Sequence, residues 1–323
     1  MTRCSLLIRC YNEEKHIEKL LKGILEQTES DLEILLVDSG STDNTVAIAS
    51  KYPVKIISIK PEEFSFGRAL NIGCQEARGE FIVIASAHVY PVYRDWLEHL
   101  LAPFSDLQVA LTYGKQQGNE YTKYSEHQVF AKWFPKQSDF EQPHPFCNNA
   151  NAAIRRSLWN TIPYNESLTG LEDLDWAKRA QQLGYKVAYV ADAPIVHVHE
   201  ETSARVYNRY RREAIALKQI LPQEQFRFRD FLRFFIGNTI SDYFHAWHDG
   251  VLIRELKNIL VFRLMQFWGT YQGFHDLVNN QLKQTFYYPN QMVRFDSDRK
   301  AHSDRLIDYA SILSERQLEK QHY

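Results

Sequence analysis

Apolar positions in the first half of the chain follow two alternating periods. Short, nearly continuous apolar runs predict buried strands at residues 5–10, 32–38, 54–59 and 80–86. The segments between these runs carry apolar residues at helical spacing, and they predict helices at 15–27, 41–52 and 67–78. Strands that alternate with helices in this way predict an α/β fold, in which right-handed βαβ units build a mostly parallel sheet flanked by helices.

The pattern changes in the second half of the chain. Residues 90–145 are irregular and aromatic, and they predict a loop-rich region. Further elements are predicted at 171–184 (helix), 186–192 (strand), 204–220 (helix) and roughly 228–283 (mainly helical), before a polar, peripheral end. We therefore predict two domains, an α/β domain over 1–203 and a helical C-terminal extension over 204–323.

Composition narrows the class of protein. A chain of 323 residues that is 44% hydrophobic can bury a well-formed core. The net charge of −2 argues against a general nucleic-acid-binding protein, and we expect no nucleic-acid partner. Two basic-aromatic runs, at 205–213 and 226–235, are typical of solvated helix faces.

The four cysteines form no CxxC pair and have no zinc-type spacing, which predicts buried free thiols in a reducing compartment. The apolar run at the start is too short for a signal peptide, and no window approaches the length of a membrane span. We expect a cytoplasmic location. The aromatic C-terminal helices favour packing or homo-oligomer contact, with peripheral contact at the inner face of the plasma membrane as the alternative.

Polar residues follow the first two predicted strands. In VDSGSTDNT, at 37–45, Asp38 ends a buried strand, where a carboxylate can accept hydrogen bonds from a base or ribose, while Ser41 lies at a helix start. In IRCYNEE, at 8–14, Tyr11 can cover a planar base and Arg9 can meet a diphosphate. Neither G-x-G-x-x-G nor a P-loop is present.

Two later segments carry further candidates. In TGLEDLDWAKRA, at 169–180, acidic residues cluster at a helix N-terminus, where the helix dipole favours them. In FCNNANAAIRR, at 146–156, amide side chains can hydrogen-bond sugar hydroxyls, which act as both donors and acceptors. The substrate-binding candidates are Asn148, Asn149 and Asn151.

Taken together, YNEE, VDSGSTDNT and GRALNIGCQEARGEFIVIASAH resemble the family 2 glycosyltransferases with the GT-A fold, over roughly residues 3–200. The amino-acid sequences of these motifs are most similar to those of polysaccharide or O-antigen members of rhamnosyltransferase type. The resemblance implies transfer of a sugar from a UDP- or dTDP-sugar, with inversion, to a glycan or lipid-linked saccharide. Residues and resemblance together give these nucleotide-binding candidates: Arg9, Tyr11, Glu13, Asp38, Ser41, Arg68 and Ser86.

The resemblance also assigns a catalytic base. The family places this carboxylate in a Glu-Asp pair before a D-x-x-x-R helix, and here the pair is Glu172-Asp173. An inverting transfer needs one carboxylate to deprotonate the acceptor hydroxyl. We predict Asp173 as the base, with Glu172 as the alternative or as a hydrogen-bond partner of the acceptor, and we expect Asp175 to face the protein.

One segment departs from the family. Where relatives carry Asp-x-Asp, this chain has Ser86-Ala87-His88. A serine hydroxyl can still bond a ribose, and an imidazole can replace a ligating carboxylate for Mn²⁺ or similar ions, although it is poor for Mg²⁺. We predict a divalent metal, Mn²⁺ or Mg²⁺, held by His88 with His197 or His199, which lie at strand spacing in VHVHEE. The rival hypothesis is metal-free neutralisation of the diphosphate by Arg68, His88 and the basic helix at 205–212.

Two other functions stay open. A sugar nucleotidyltransferase would share the nucleotide-binding topology, but its Gly-rich N-terminal signature and activating lysine are missing from this sequence. A non-catalytic relative that binds nucleotide or glycan would have lost activity together with Asp-x-Asp, and the intact Glu172-Asp173 pair argues against it.

Overall fold

The computed structural model describes residues 3–276. The strands are β1 (Cys4–Cys10), β2 (Leu32–Asp38), β3 (Val54–Ser58), β4 (Phe81–Ser86), β5 (Val89–Pro91), β6 (Val109–Gln117), β7 (Asn151–Arg155) and β8 (Lys186–His197). The α-helices are α1 (Ile17–Leu25), α2 (Thr45–Ala49), α3 (Phe66–Glu76), α4 (Trp96–Leu101), α5 (Tyr124–Trp133), α6 (Arg156–Thr161), α7 (Glu172–Gln182), α8 (Ser203–Ile220), α9 (Phe228–His248) and α10 (Leu252–His275).

All eight strands belong to one sheet, in the order β3-β2-β1-β4-β7-β6-β8-β5. The pairs β1–β2, β1–β4, β2–β3 and β6–β8 are parallel, whereas β7 and β5 pair antiparallel with their neighbours. The α/β class with a sheet flanked by helices is confirmed, and the first four predicted strands coincide with β1 to β4.

Both faces of the central strands are covered, which explains their unbroken apolar runs. In β1, Leu6 and Ile8 pack with α1 on one face, and Leu7 packs with α3 on the other. The indole rings of Trp96 and Trp176 are fully buried on these two faces. The two apolar layers cover both faces of the sheet and stabilise it. Polar residues lie instead at the carboxyl ends of its parallel strands.

The four cysteines lie inside these layers. All are buried and free, as the sequence predicted. Burial raises the pKa of the Cys74 thiol well above its usual value, so this side chain stays neutral and unreactive. The reducing compartment inferred from them stays a prediction.

The prediction of a loop-rich region over 90–145 is wrong, because this stretch contains α4, β6 and α5. The strand β6 was missed because its last residues, KQQ, are polar and hide its alternation. The helix α5 carries aromatic and charged residues on several sides, so its apolar stripe is weak. The predicted segment at 228–283 is two helices, α9 and α10, as far as the structure describes it.

The C-terminal helices pack closely. Gly269 and Gly273 of α10 lie against the backbone of α8, where an added Cβ would come within 2.5 Å of the Tyr207 carbonyl oxygen and 2.4 Å of the Arg211 carbonyl oxygen. The position of the boundary at 203/204 stays a prediction, and the part of the predicted extension over 277–323 lies outside the described residues.

One side of α9 exposes apolar side chains to solvent. They recur at helical spacing and include Leu232, Ile236, Ile240, Phe244 and Trp247. Within residues 3–276, no helix is both long enough and apolar enough to cross a membrane. Peripheral membrane contact and homo-oligomer contact both stay predictions for this surface.

Candidate active site

The predicted site residues of the first half meet at one edge of the sheet. In register, Cys10 lies beside Asp38, and Arg9 lies beside Ser86. The carboxyl ends of β1, β2 and β4 therefore come together, and this is the edge at which open α/β sheets bind ligands.

The loop after β2 is organised by Asp38. Its buried carboxylate accepts hydrogen bonds from the backbone N–H groups of Gly40, at 3.2 Å, and Ser41, at 3.1 Å. The Ser41 hydroxyl in turn accepts the N–H of Asn12, at 2.9 Å, and Asn12 has a left-handed backbone with φ 56°. Asp38 and Ser41 thus tie the loops after β2 and β1 together.

The remaining nucleotide candidates surround these loops. Tyr11 exposes 55% of its surface at the rim, where its ring is free to stack on a planar group. Arg68, in the first turn of α3, has its Nη1 3.6 Å from Glu166 Oε2, and its buried Nε has no hydrogen-bond partner in the part of the chain that the structure describes. Their assignment to nucleotide binding stays a prediction.

Glu172 and Asp173 open α7 beside this edge, and both are buried. Glu172 forms an ion pair with Arg9, whose Nη1 lies 2.9 Å from Oε1. Asp173 accepts the backbone N–H groups of Asn149, at 2.9 Å, and Leu174, at 2.8 Å. Asp175 pairs instead with Arg179 on the same helix, at 2.9 Å. The environments of the two adjacent carboxylates therefore differ.

The difference matters for proton transfer. Burial, with the neighbouring Glu172 carboxylate second, raises the pKa of Asp173 to about 7, against the opposing effects of its backbone hydrogen bonds and Arg9. A carboxylate with a raised pKa is a stronger base than one neutralised by an arginine. Of the pair, Asp173 is better suited to take a proton near neutral pH.

Aromatic and basic groups stand next to the carboxylates. The Phe66 ring has the Arg9 guanidinium at 5.3 Å and the Arg212 guanidinium at 4.6 Å from its centroid. Arg212 comes from α8, and no described residue hydrogen-bonds its buried Nε. The helix α8 therefore adds positive charge to the edge formed by the α/β part of the chain.

The three asparagine candidates lie in different surroundings. Asn149 is buried beside Asp173, and neither polar atom of its side chain has a hydrogen-bond partner among the described residues. Asn148 is half-buried and caps its own loop by accepting the N–H of Ala150. Asn151 is fully buried. Its Oδ1 accepts the indole N–H of Trp96, and its Nδ2 donates to the carbonyls of Lys115 and Ala193. Only Asn149 of the three has buried polar atoms left for a ligand.

His88, His197 and His199 form one cluster. Each can offer a ring nitrogen such that the three nitrogens lie within 4.8 Å of one another. The pairing of β5 with β8 creates the cluster, because Val89 lies opposite His197 and the His88 carbonyl accepts the N–H of Val198. Residues two apart in a strand share a face, and both His197 and His199 reach His88, although β8 itself ends at His197.

The cluster fits a divalent metal. His197 is buried, and within residues 3–276 its Nε2 has no hydrogen-bond partner. Burial holds the pKa values of His197 and His199 well below the usual range, so both rings are neutral and can donate a lone pair. His88 keeps 29% of its side chain exposed, so the cluster opens to solvent on that side.

Two residues near the site were missed by the sequence reasoning. Gln116 and Glu126, which hydrogen-bond His197 and His199, lie in the stretch interpreted as loops, and neither belongs to a motif. No local pattern brings these two residues to the site, since both reach it through tertiary packing. Arg212 lies in the basic helix at 205–212 that the metal-free hypothesis named, although the basic run itself favoured a solvated face.

Comparisons with known proteins agree with this architecture. Residues 5–162 match the family described as Glycosyl transferase family 2. The O-antigen chain rhamnosyltransferase WbaN of Salmonella anatum is 30% identical over 198 residues, covering 57% of this chain and 62% of the relative. The O-antigen chain rhamnosyltransferase RfbN of Salmonella typhimurium strain LT2 is 27% identical over 220 residues, covering 64% of this chain and 70% of the relative.

Among solved structures, the mannosyltransferase PcManGT from Pyrobaculum calidifontis, in complex with GDP-Man and Mn²⁺, is similar in fold. The TM-score is 0.56 at 19% sequence identity, and the likeness covers 88% of this chain and 87% of the other. The fold therefore extends beyond the 5–162 segment, whereas the alignment with WbaN spans less than two thirds of that relative.

Proposed function

Because residues 5–162 match the family described as Glycosyl transferase family 2, we propose that this protein transfers a sugar from a nucleoside diphosphate sugar to a glycan or lipid-linked saccharide during surface polysaccharide synthesis. The observation that carries the proposal is the buried pair Glu172-Asp173, which lies beside the carboxyl end of β1. Burial and Glu172 raise the pKa of Asp173 to about 7, which suits a general base. The two rhamnosyltransferase relatives make dTDP-rhamnose the first donor to test.

The chemistry is a single displacement. Asp173 accepts the proton of the acceptor hydroxyl as that oxygen attacks the anomeric carbon. The bond between this carbon and the diphosphate oxygen breaks, and its electron pair leaves with the nucleoside diphosphate. Attack from the face opposite the leaving group inverts the anomeric configuration.

The other residues bind and orient the reactants. Tyr11 and the loop held by Asp38 contact the nucleoside. The side-chain amide of Asn149, which has no hydrogen-bond partner among the described residues, bonds sugar hydroxyls next to Asp173. Arg68 and Arg212 lie where positive charge can meet a diphosphate. A divalent ion held by His88, His197 and His199 would neutralise the negative charge that develops on the leaving diphosphate.

A panel of nucleotide sugars tests the proposed reaction class. With a saccharide acceptor present, we expect one donor, dTDP-rhamnose first, to yield nucleoside diphosphate and an extended acceptor, both measured by chromatography. Pyrophosphate released from a sugar 1-phosphate and a nucleoside triphosphate would instead identify a nucleotidyltransferase. Saturable nucleotide binding without turnover of any donor would identify a non-catalytic relative.

A further inference from the structure

The histidine cluster differs from a carboxylate metal site in the kind of atom that it presents. We propose that His88, His197 and His199 form a three-imidazole site that selects a later first-row divalent ion, Fe²⁺, Co²⁺ or Zn²⁺, over Mg²⁺. This inference rests on the proposed function only for the role of the bound ion, which is to neutralise the leaving diphosphate. Imidazole nitrogen suits later first-row ions, whereas Mg²⁺ takes oxygen ligands and gives up its water reluctantly.

Each imidazole is fixed in one tautomer by an acceptor oxygen. The Nδ1 atom lies 2.8 Å from Glu13 Oε1 in His88, 2.7 Å from Gln116 Oε1 in His197, and 2.7 Å from Glu126 Oε1 in His199. An acceptor oxygen at this distance places the proton on Nδ1 and leaves the lone pair on Nε2. Each ring thus keeps a lone pair on Nε2 that a metal ion could take.

The three acceptors are positioning residues for the proposed metal. They come from the loop after β1, from the end of β6 and from α5, so the cluster is held from three directions. For His197 the consequence is visible, because its Nε2 is buried and has no partner in the described part of the chain. A buried acceptor left unpaired is costly unless a ligand satisfies it.

A second acidic group adjoins the cluster and does not compete for the metal. Glu126, His199 and Glu201 also lie within ligand distance of one another. However, Arg209 Nη2 lies 2.7 Å from both Glu126 and Glu201, so a protein cation already occupies that position. A divalent ion is therefore directed to the Nε2 side of the histidines, where His88 is open to solvent. Three protein ligands with an open side are typical of a site that also binds substrate.

Direct metal binding tests the site without reference to activity. We expect the metal-stripped protein to bind Co²⁺, followed by its visible absorption, on the order of 100-fold more tightly than Mg²⁺, measured by competition. His88→Ala and His197→Ala should lose the Co²⁺ absorption band. His99→Ala removes a histidine of α4 that pairs with Asp95, outside the cluster, and should bind Co²⁺ like the wild type.

The positioning role has its own readout. Gln116→Leu removes the acceptor for His197 Nδ1 and should weaken Co²⁺ binding by roughly 10–100-fold. Gln116→Glu keeps an acceptor oxygen and should bind Co²⁺ about as tightly as the wild type. Equal affinity for Mg²⁺ and Co²⁺, or unchanged Co²⁺ binding in His88→Ala, overturns the inference. Sugar transfer by protein that binds no Co²⁺ also overturns it and leaves the proposed function standing. Tight Co²⁺ binding without transfer of any sugar supports the metal site and overturns the proposed function.

Discussion

Asp173→Asn is expected to lower the turnover number for sugar transfer by on the order of 10²–10⁴-fold, because it removes the group that takes the acceptor proton. The amide keeps the size of the side chain, and its oxygen can still accept the N–H of Asn149. Nucleotide affinity, measured by calorimetry, should change little, since Tyr11 and the loop held by Asp38, which are proposed to contact the nucleoside, lie on other elements than Asp173.

Asp175→Asn is the matched control for this change. It removes a carboxylate from the same helix, but one that pairs with Arg179 and leaves the Glu172-Asp173 pair intact. Its turnover number should stay close to that of the wild type. Full activity in Asp173→Asn, or equal losses in the two variants, would show that Asp173 is not the base.

Arg9→Met is expected to move the pH dependence of transfer. The base acts as a carboxylate, so the rate falls as the pH drops through the pKa of Asp173, which burial and Glu172 have raised and Arg9 partly lowers. Without Arg9 that pKa rises further, and the acidic limb of the rate profile shifts to higher pH. The variant should therefore lose most activity below neutral pH and recover part of it in alkaline buffer.

The same substitution should also destabilise the fold. Arg9 and Glu172 expose only 17% and 6% of their side chains, and breaking a buried ion pair from one side costs about 3–5 kcal/mol of unfolding free energy. Arg94→Met breaks an exposed pair with Glu26 and should cost less than about 1 kcal/mol. An unshifted acidic limb in Arg9→Met, with denaturant midpoints equal in the two variants, would contradict the described role of Arg9.

The sequence predicts the regular half of the fold well because buried parallel strands have a strong local signal. β1 and β2 are almost continuous apolar runs, and each ends in the polar residues that form the site. The stretch over 90–145 has no such signal. Its strand β6 lies next to β8 and β7, and only these neighbours make its polar end a buried part of the sheet.

The candidate site divides in the same way. Glu172-Asp173 and His88 stand in motifs that a resemblance can locate. The partners that set their chemistry lie far away in sequence, as with Arg9 for Glu172 and Gln116 for His197. The spacing of His197 and His199 places both on one side of a strand, but their approach to His88 depends on the pairing of β5 with β8, which strand periodicity does not give.

The anomeric configuration of the product tests the central claim most directly. Using the donor that supports turnover, proton NMR of the first product formed reports whether the transferred sugar keeps or inverts its configuration. A single displacement with Asp173 as base predicts complete inversion by the wild type and, from Asp173→Asn, product formation slower by on the order of 10²–10⁴-fold. Retention of configuration would contradict the account, since it requires a different mechanism at this site.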